Sequence, residues 1–157
     1  MHDMAVAEDA ILARTVELLG GEKAFKAPVT SRLDAHDLLR HGLPVAALNR
    51  LLKQLPFLAL SGDDLEHATG MSLRTYQRRR EATAKPLNLE QSNRTWKFAE
   101  ILARAIEIFG SQETAVDWMT RPAIGLDQRR PMDLIGTAAG VELVEDYLTR
   151  IDYGIYT

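Results

Sequence analysis

The stretch SGDDLEHATGMSLRTYQRRR, residues 61–80, decides the fold of the chain. Ser61 is a good helix N-cap, and Gly70 ends the short helix that it starts. Ser72 then caps a second short helix. Two short helices joined by a turn of three or four residues that contains glycine form a helix-turn-helix. The sequence therefore predicts this motif at about residues 61–83.

One position of the motif differs from the usual pattern. The residue four before the turn glycine is commonly small, because the two helices cross closely there. Glu66 occupies that place in this chain. We expect either a wider crossing or a side chain that turns outward.

The rest of the chain also has the hydrophobic spacing of helices. Outside the motif, the segments with this spacing are residues 5–19, 33–41, 44–54, 88–109, 111–119, 131–136 and 137–154. The apolar run FLAL at 57–60 is interpreted as a buried connector. We expect an all-α, compact multi-helix protein of about nine helices. Its predicted regions are 1–88, which contains the helix-turn-helix, and 89–157, a long linking helix followed by a small C-terminal domain.

Composition excludes several classes of protein. Of the 157 residues, 46% are hydrophobic and 26% charged, as in ordinary globular domains. Cysteine is absent, which excludes a disulfide framework and a thiolate metal site. The sequence contains neither a long apolar run nor the features of a signal peptide. We expect a cytoplasmic protein with no membrane partner.

The histidines do not form a recognisable catalytic or metal site. His36 and His41 are five residues apart, which is not the spacing of two ligands on one helix face. No phosphate-binding loop and no nucleophile motif is present. We predict no catalytic residues, no metal, no cofactor and no enzymatic activity.

Charge is unevenly distributed along the chain. Residues 72–104 carry a net charge of +5, whereas residues 1–71 and 105–157 carry −3 and −5. A basic middle between acidic ends indicates partners of opposite charge. Ordinary solvated charge clusters are the alternative.

The basic segment predicts DNA binding. The second helix of a helix-turn-helix enters the major groove with its first residues against the base edges. Arginine pairs with guanine and glutamine with adenine, while short hydroxyl side chains suit phosphates. The predicted DNA-binding residues are Ser72, Arg74, Thr75, Gln77, Arg78 and Arg79. Useful affinity would need a homodimer, formed through the long helix or the N-terminal helices.

An ordered series of residues from about 40 to 157 resembles the antitoxins of RES-domain toxin–antitoxin modules, the Xre/MbcA/ParS-type family. The turn GMSLRTYQRR at 70–79 and LEQSNR at 89–94 are similar to that family's turn and long-helix start. The C-terminal matches are Phe109-Gly110, Ala115, Trp118-Met119, Pro122, Leu126, Arg130 to Ile135, Thr137, Gly140, Leu148, Arg150, Ile151 and Gly154. Met119 and Asp127-Gln128 depart from the family's usual Leu and Gly.

The resemblance implies a homodimeric antitoxin. Its C-terminal region would block the NAD pocket of a RES-domain toxin, an enzyme that degrades NAD or transfers ADP-ribose. Its N-terminal region would bind operator DNA. Residues 150–157 are the predicted plug, because an acidic final helix with an aromatic tail suits a pocket that holds phosphates. The expected toxin-binding residues are Arg129, Arg130, Arg150, Asp152, Tyr153, Gly154, Ile155, Tyr156 and Thr157.

Three alternatives remain open on the sequence. Arg129 and Arg130 either face the toxin or pair with Glu142 or Asp146 inside the domain. The chain as a whole is alternatively a stand-alone transcription regulator whose C-terminal domain only dimerises. The third alternative is a protein-interaction adaptor that does not bind DNA.

Overall fold

A computed structural model describes residues 2–154 of the chain, with side chains from residue 7 onward. These residues form eleven α-helices and one 3-10 turn, so the predicted all-α class is confirmed. The helices are α1 (His2–Leu18), α2 (Gly21–Phe25), α3 (Arg32–His41), α4 (Val45–Gln54), α5 (Phe57–Leu60), α6 (Gly62–Thr69), α7 (Leu73–Arg79), α8 (Leu89–Phe109), α9 (Gln112–Thr120), α10 (Pro131–Leu134) and α11 (Ala138–Asp152), with the 3-10 turn at Ile124–Leu126.

Two of these helices were missed by the sequence analysis. α2 and α5 are one-turn elements, too short for hydrophobic spacing to reveal. The FLAL run, which was interpreted as a buried connector, forms the short helix α5. Leu58 is fully buried, but Leu60 is 86% exposed.

The long helix α8 is the centre of the molecule. Asn88 and Gln91 form a reciprocal capping box at its start, and Gly110 ends it with a φ of 90°. Helices α1, α3, α6, α9 and α11 all pack against it. Its buried residues are Ser92, Thr95, Trp96, Phe98, Ala99, Ile101, Leu102, Ala103, Ala105 and Ile106. The apolar stripe of α8 is therefore covered within the chain, which removes our reason for expecting dimerisation through it.

Two polar side chains of α8 tie it to the N-terminal half of the chain. Ser92 Oγ accepts the backbone N–H of Leu43 at 2.8 Å. The Arg94 guanidinium donates to the carbonyl oxygens of Glu66 and His67 at 2.8 and 3.2 Å. These carbonyls lie in the last turn of α6, where a helix leaves acceptors unpaired. Arg94 therefore satisfies the end of α6 and ties it to α8.

The crossing of α6 and α7 is close. Ala68 is fully buried, and the Glu66 side chain is exposed. Of the two outcomes that we expected at this position, the outward-turned side chain is the one observed. Gly70 makes the turn with a φ of 74°, a conformation that favours glycine.

The C-terminal helices pack around the other half of α8 without forming a separate core. One hydrophobic cluster extends from Leu18 to Leu148, and α10 contacts α6 of the helix-turn-helix as well as α9 and α11. The division of the chain at residue 88 stays a prediction. No helix in the described part of the chain is both long enough and apolar enough to cross a bilayer.

Gly140 is predicted to be indispensable to the junction of α10 and α11. A Cβ at this position would lie 1.7 Å from the carbonyl oxygen of Leu134, which is backbone and cannot turn aside. Gly140→Ala should lower the free energy of unfolding by about 2 kcal/mol or more through overpacking. The matched control is Gly62→Ala, since no atom lies within 4 Å of a Cβ there. Urea denaturation measures both, and equal midpoints would contradict this account.

Candidate functional site

The outer face of α7 carries three exposed side chains: Arg74, Gln77 and Arg78. Positions i, i+3 and i+4 are neighbours on a helix, so the three point the same way. Tyr76 points to the opposite side, where it is buried and donates its hydroxyl to Asn49 Oδ1 at 3.1 Å. Burial raises the pKa of Tyr76 above its ordinary value. α7 is therefore anchored on one side and presents cations on the other.

The first turn of α7 is closed by its own hydroxyl groups. Ser72 Oγ accepts the backbone N–H of Thr75 at 3.1 Å, and its hydroxyl donates to Thr75 Oγ1 at 3.0 Å. Both residues were predicted to contact DNA. Their observed hydrogen bonds fix the beginning of the helix.

Arg79 has an internal role that the sequence did not reveal. Its guanidinium donates to the carbonyl oxygens of Lys85 and Pro86 at 2.7 and 3.1 Å. These bonds fold the following loop back onto the helix, and α7 ends at Arg79 rather than near residue 82 as expected. Of the three consecutive arginines, Arg78 and Arg80 remain exposed.

Three more cations of the basic segment also act inside the fold. Arg94 binds the end of α6, Lys97 pairs with Glu145 at 3.3 Å, and Arg104 donates to Thr149 Oγ1 at 2.6 Å. Burial lowers the pKa of Lys97, but its contacts with Glu100 and Glu145 outweigh this, and the net pKa is raised. The exposed cations near α7 are Arg74, Arg78, Arg80 and Lys85. The basic surface is thus smaller than the charge of residues 72–104 indicates.

A second surface lies at the end of α11. Arg150, Asp152, Tyr153 and Gly154 are all exposed, and Tyr153 is 67% exposed. These four predicted toxin-binding residues lie next to one another at the C-terminal end of α11. Ile155, Tyr156 and Thr157 lie outside the described residues. Two further acidic residues of α11, Glu142 and Asp146, are also exposed.

Arg129 and Arg130 behave differently from each other. The Arg129 side chain is exposed, and its carbonyl oxygen accepts the backbone N–H of Ala123. Arg130 is half-buried and forms ion pairs with Asp64 at 2.8 Å and Asp133 at 2.6 Å. Its partners are therefore not Glu142 or Asp146, the pairs that we had considered.

The Asp64–Arg130–Asp133 cluster links the C-terminal domain to the first helix of the helix-turn-helix. Hydrogen bonds from Arg130 hold the pKa of Asp133 below its usual range, and the pKa of Arg130 is raised in turn. Ligand atoms of Asp64, His67 and Asp133 lie within 4.8 Å of one another, a spacing compatible with a metal ion. The Arg130 guanidinium already lies between the two carboxylates and supplies the positive charge there. This cluster is a structural tie.

The fold and these surfaces define a class of protein, in which a helix-turn-helix precedes a helical interaction domain. Two known domain families match successive parts of the chain in that order. Residues 34–100 match the antitoxin Xre-like helix-turn-helix domain, and residues 104–154 match the antitoxin Xre/MbcA/ParS C-terminal toxin-binding domain. The chain belongs to the Xre/MbcA/ParS-type antitoxins. This membership confirms the expectation that it is not an enzyme.

Curated relatives agree with this assignment. Antitoxin Xre of Photorhabdus laumondii is 28% identical over 129 residues, which cover 82% of this chain and 84% of that protein. Antitoxin Xre of Yersinia enterocolitica is 30% identical over 95 residues, covering 60% and 64%. Antitoxin Xre of Pseudomonas putida is 26% identical over 126 residues, covering 80% and 76%.

The lowered pKa of Asp133 predicts a pH-dependent contribution to stability. A carboxylate with a depressed folded-state pKa stabilises the fold above its ordinary value of about 4, and this contribution is lost as the pH falls through the folded value. Asp133→Asn should therefore lower the stability at pH 7 by at most about 1 kcal/mol, because the pair is partly exposed and screened.

The measurement is urea denaturation of both proteins at pH 7 and pH 3. The difference in the free energy of unfolding between the two proteins should shrink at pH 3. At that pH, Asp133 of the unmodified chain takes up a proton when the chain unfolds, so its ion pair contributes less to stability. Asp146→Asn, an exposed carboxylate on α11, is the control. A difference that is the same at both pH values would show that the ion pair is not its source.

Proposed function

We propose that this antitoxin neutralises a RES-domain toxin that consumes NAD or transfers ADP-ribose, and that residues 150–157 block the toxin's NAD pocket. The observation that carries the proposal is the exposed end of α11 within the segment that matches a toxin-binding domain. Tyr153 is exposed there, beside the exposed Asp152. An aromatic ring next to a carboxylate has the chemistry to replace a nucleotide in a binding pocket.

Charge complementarity supports the same partner. A pocket that binds NAD must stabilise two phosphate groups, so cationic side chains are expected to line it. The exposed carboxylates of α11 are Glu142, Asp146 and Asp152. A surface of this sign accelerates association with a cationic partner and disfavours anionic ones.

The exposed basic face of α7 supports repression of the antitoxin's own operon. Arg74, Gln77 and Arg78 provide side chains that read guanine and adenine in the major groove. Four exposed cations near one short helix neutralise few phosphates, so one copy would bind DNA weakly. We propose a homodimer whose two α7 helices reach half-sites about one DNA turn apart.

Removal of residues 153–157 should abolish inhibition of the toxin but leave binding to it intact. A chain that ends at residue 152 should leave the NAD consumption of the RES-domain protein near its uninhibited rate, although the two proteins still co-purify. A second variant, with residues 153–157 replaced by glycine and serine, controls for chain length and should behave alike. The assay is NAD loss with and without each variant. Full inhibition by both variants would contradict the plug, and failure of the unmodified chain to bind would favour the stand-alone regulator.

The DNA-binding face makes a separate prediction. Arg74→Ala and Arg78→Ala should each weaken binding to DNA from upstream of the antitoxin gene about tenfold or more, because each removes a groove or phosphate contact. The control is Arg121→Ala, an exposed arginine outside the motif that pairs with Asp117. Gel shifts over a salt series measure the affinity and its salt dependence. Unchanged affinity in both variants would exclude this face, and no binding by the unmodified chain would favour the adaptor.

A further inference from the structure

We propose that Ile124 and Leu143 form an apolar platform that docks on the toxin's surface beside its NAD pocket. This inference rests on the proposed function and deepens it. The platform would hold the toxin, whereas residues 150–157 would inhibit it.

The platform is the exposed apolar surface of the toxin-binding segment. Ile124 is 77% exposed and Leu143 is 54% exposed. The 3-10 turn that carries Ile124 packs on α11, where Gly125 lies against the ring of Tyr147, one helical turn beyond Leu143. Ile124 and Leu143 therefore lie on two elements that contact each other, and exposed apolar side chains on adjoining elements of a binding domain indicate a contact surface.

Ile124 is held outward by a rigid turn. Its neighbours Ala123 and Leu126 are buried, and the Ala123 N–H donates to the Arg129 carbonyl at 3.0 Å. A Cβ on Gly125 would lie 2.3 Å from the Tyr147 ring, so turn and helix are in direct contact. An exposed side chain on a fixed backbone loses little conformational entropy on binding, which favours affinity.

The Tyr147 ring packs against a further aromatic side chain. It stacks on Trp118 with ring centroids 6.0 Å apart, and Trp118 packs against Phe109 at 5.5 Å. The base of the platform therefore extends down to the end of α8. Docking on it would not require the domain to rearrange.

The platform and the proposed plug are carried by the same helix. Leu143, Tyr147 and Arg150 lie at i, i+4 and i+7 of α11 and so share one face of the helix. Tyr153 follows the end of the helix, beside a groove that Thr149 and Asp152 also line. A toxin that receives residues 150–157 in its pocket would bring the rim of that pocket against Leu143 and Ile124.

The charges around the platform favour the toxin over a second copy of this chain. Leu143 is flanked by the exposed carboxylates of Glu142 and Asp146. In a two-fold symmetric contact the same patch meets itself, so these carboxylates would face each other and repel. A partner with aliphatic residues bordered by lysine or arginine fits the surface, and the rim of a phosphate-binding pocket has that character.

The test compares single variants for binding and inhibition. Ile124→Asp and Leu143→Asp should each weaken the complex with the proposed RES-domain toxin about thirtyfold, as expected for central interface residues. Leu33→Asp is the matched control, since Leu33 is 69% exposed on α3, outside the toxin-binding segment. Titration calorimetry gives the affinity, and circular dichroism confirms that each variant is folded. Ile124→Gln and Leu143→Gln repeat the test without added charge.

Each outcome is distinct. Loss of affinity in the platform variants, with Leu33→Asp unchanged and the oligomeric state preserved, supports the proposal. Unchanged affinity in both platform variants overturns it. Conversion of a dimer to a monomer that still binds the toxin overturns it too, and identifies the platform as a contact between copies. A wild-type chain that binds no RES-domain protein contradicts the proposed function itself.

Discussion

The burial of α8 on several faces is the constraint on which the other elements depend. Five helices pack against this one helix, and its interior positions include small residues such as Ala99 and Ala103 that let neighbours approach closely. The two family-matched regions meet within α8, between residues 100 and 104. The helix-turn-helix and the toxin-binding domain therefore share one hydrophobic core, and the loss of either contact with α8 would expose apolar surface to water.

Polar ties complete what apolar packing begins. Arg94 satisfies the last turn of α6, Lys97 and Arg104 hold α11, and Arg130 links α10 to Asp64. Each tie uses a half-buried cation, which gives it more weight than a fully exposed ion pair. The consequence for function is electrostatic. Cations that the sequence groups into one basic segment are divided between internal ties and a small outward-facing set near α7.

Helix caps and hydrophobic spacing predicted a large part of this structure. The family resemblance pointed to further residues whose roles these local rules could not explain. Ser61 and Ser72 are caps that the sequence alone identifies, and each was found. Arg94 and Gly140 were noted only as parts of a series, and their reasons emerge from contacts with residues far away or in a neighbouring helix. The Arg130–Asp64 pair spans 66 positions, and no periodicity reveals such a partner.

The toxin-binding loop shows the same limit in its backbone. Asp127 and Gln128 both have positive φ, 57° and 63°, at the place where the family often has glycine. Here two side chains adopt a conformation that favours glycine, because the Gln128 N–H and the Ala123 N–H close the turn by hydrogen bonds to Ala123 and Arg129. The sequence shows that Asp127 and Gln128 depart from the family's pattern, but the hydrogen bonds that hold their conformation are known only from the structure.

The orientation of α11 follows from three contacts along its length. Thr137 caps the helix at one end, Gly140 allows it to touch α10, and Arg104 binds Thr149 near the other end. The helix cannot rotate or slide without breaking at least one of these contacts. The end of α11, from which Tyr153 follows as the C-cap, is therefore oriented by contacts along the whole helix. A segment presented in this way reaches its partner with part of its orientation already determined, and preorganisation of that kind lowers the entropic cost of binding.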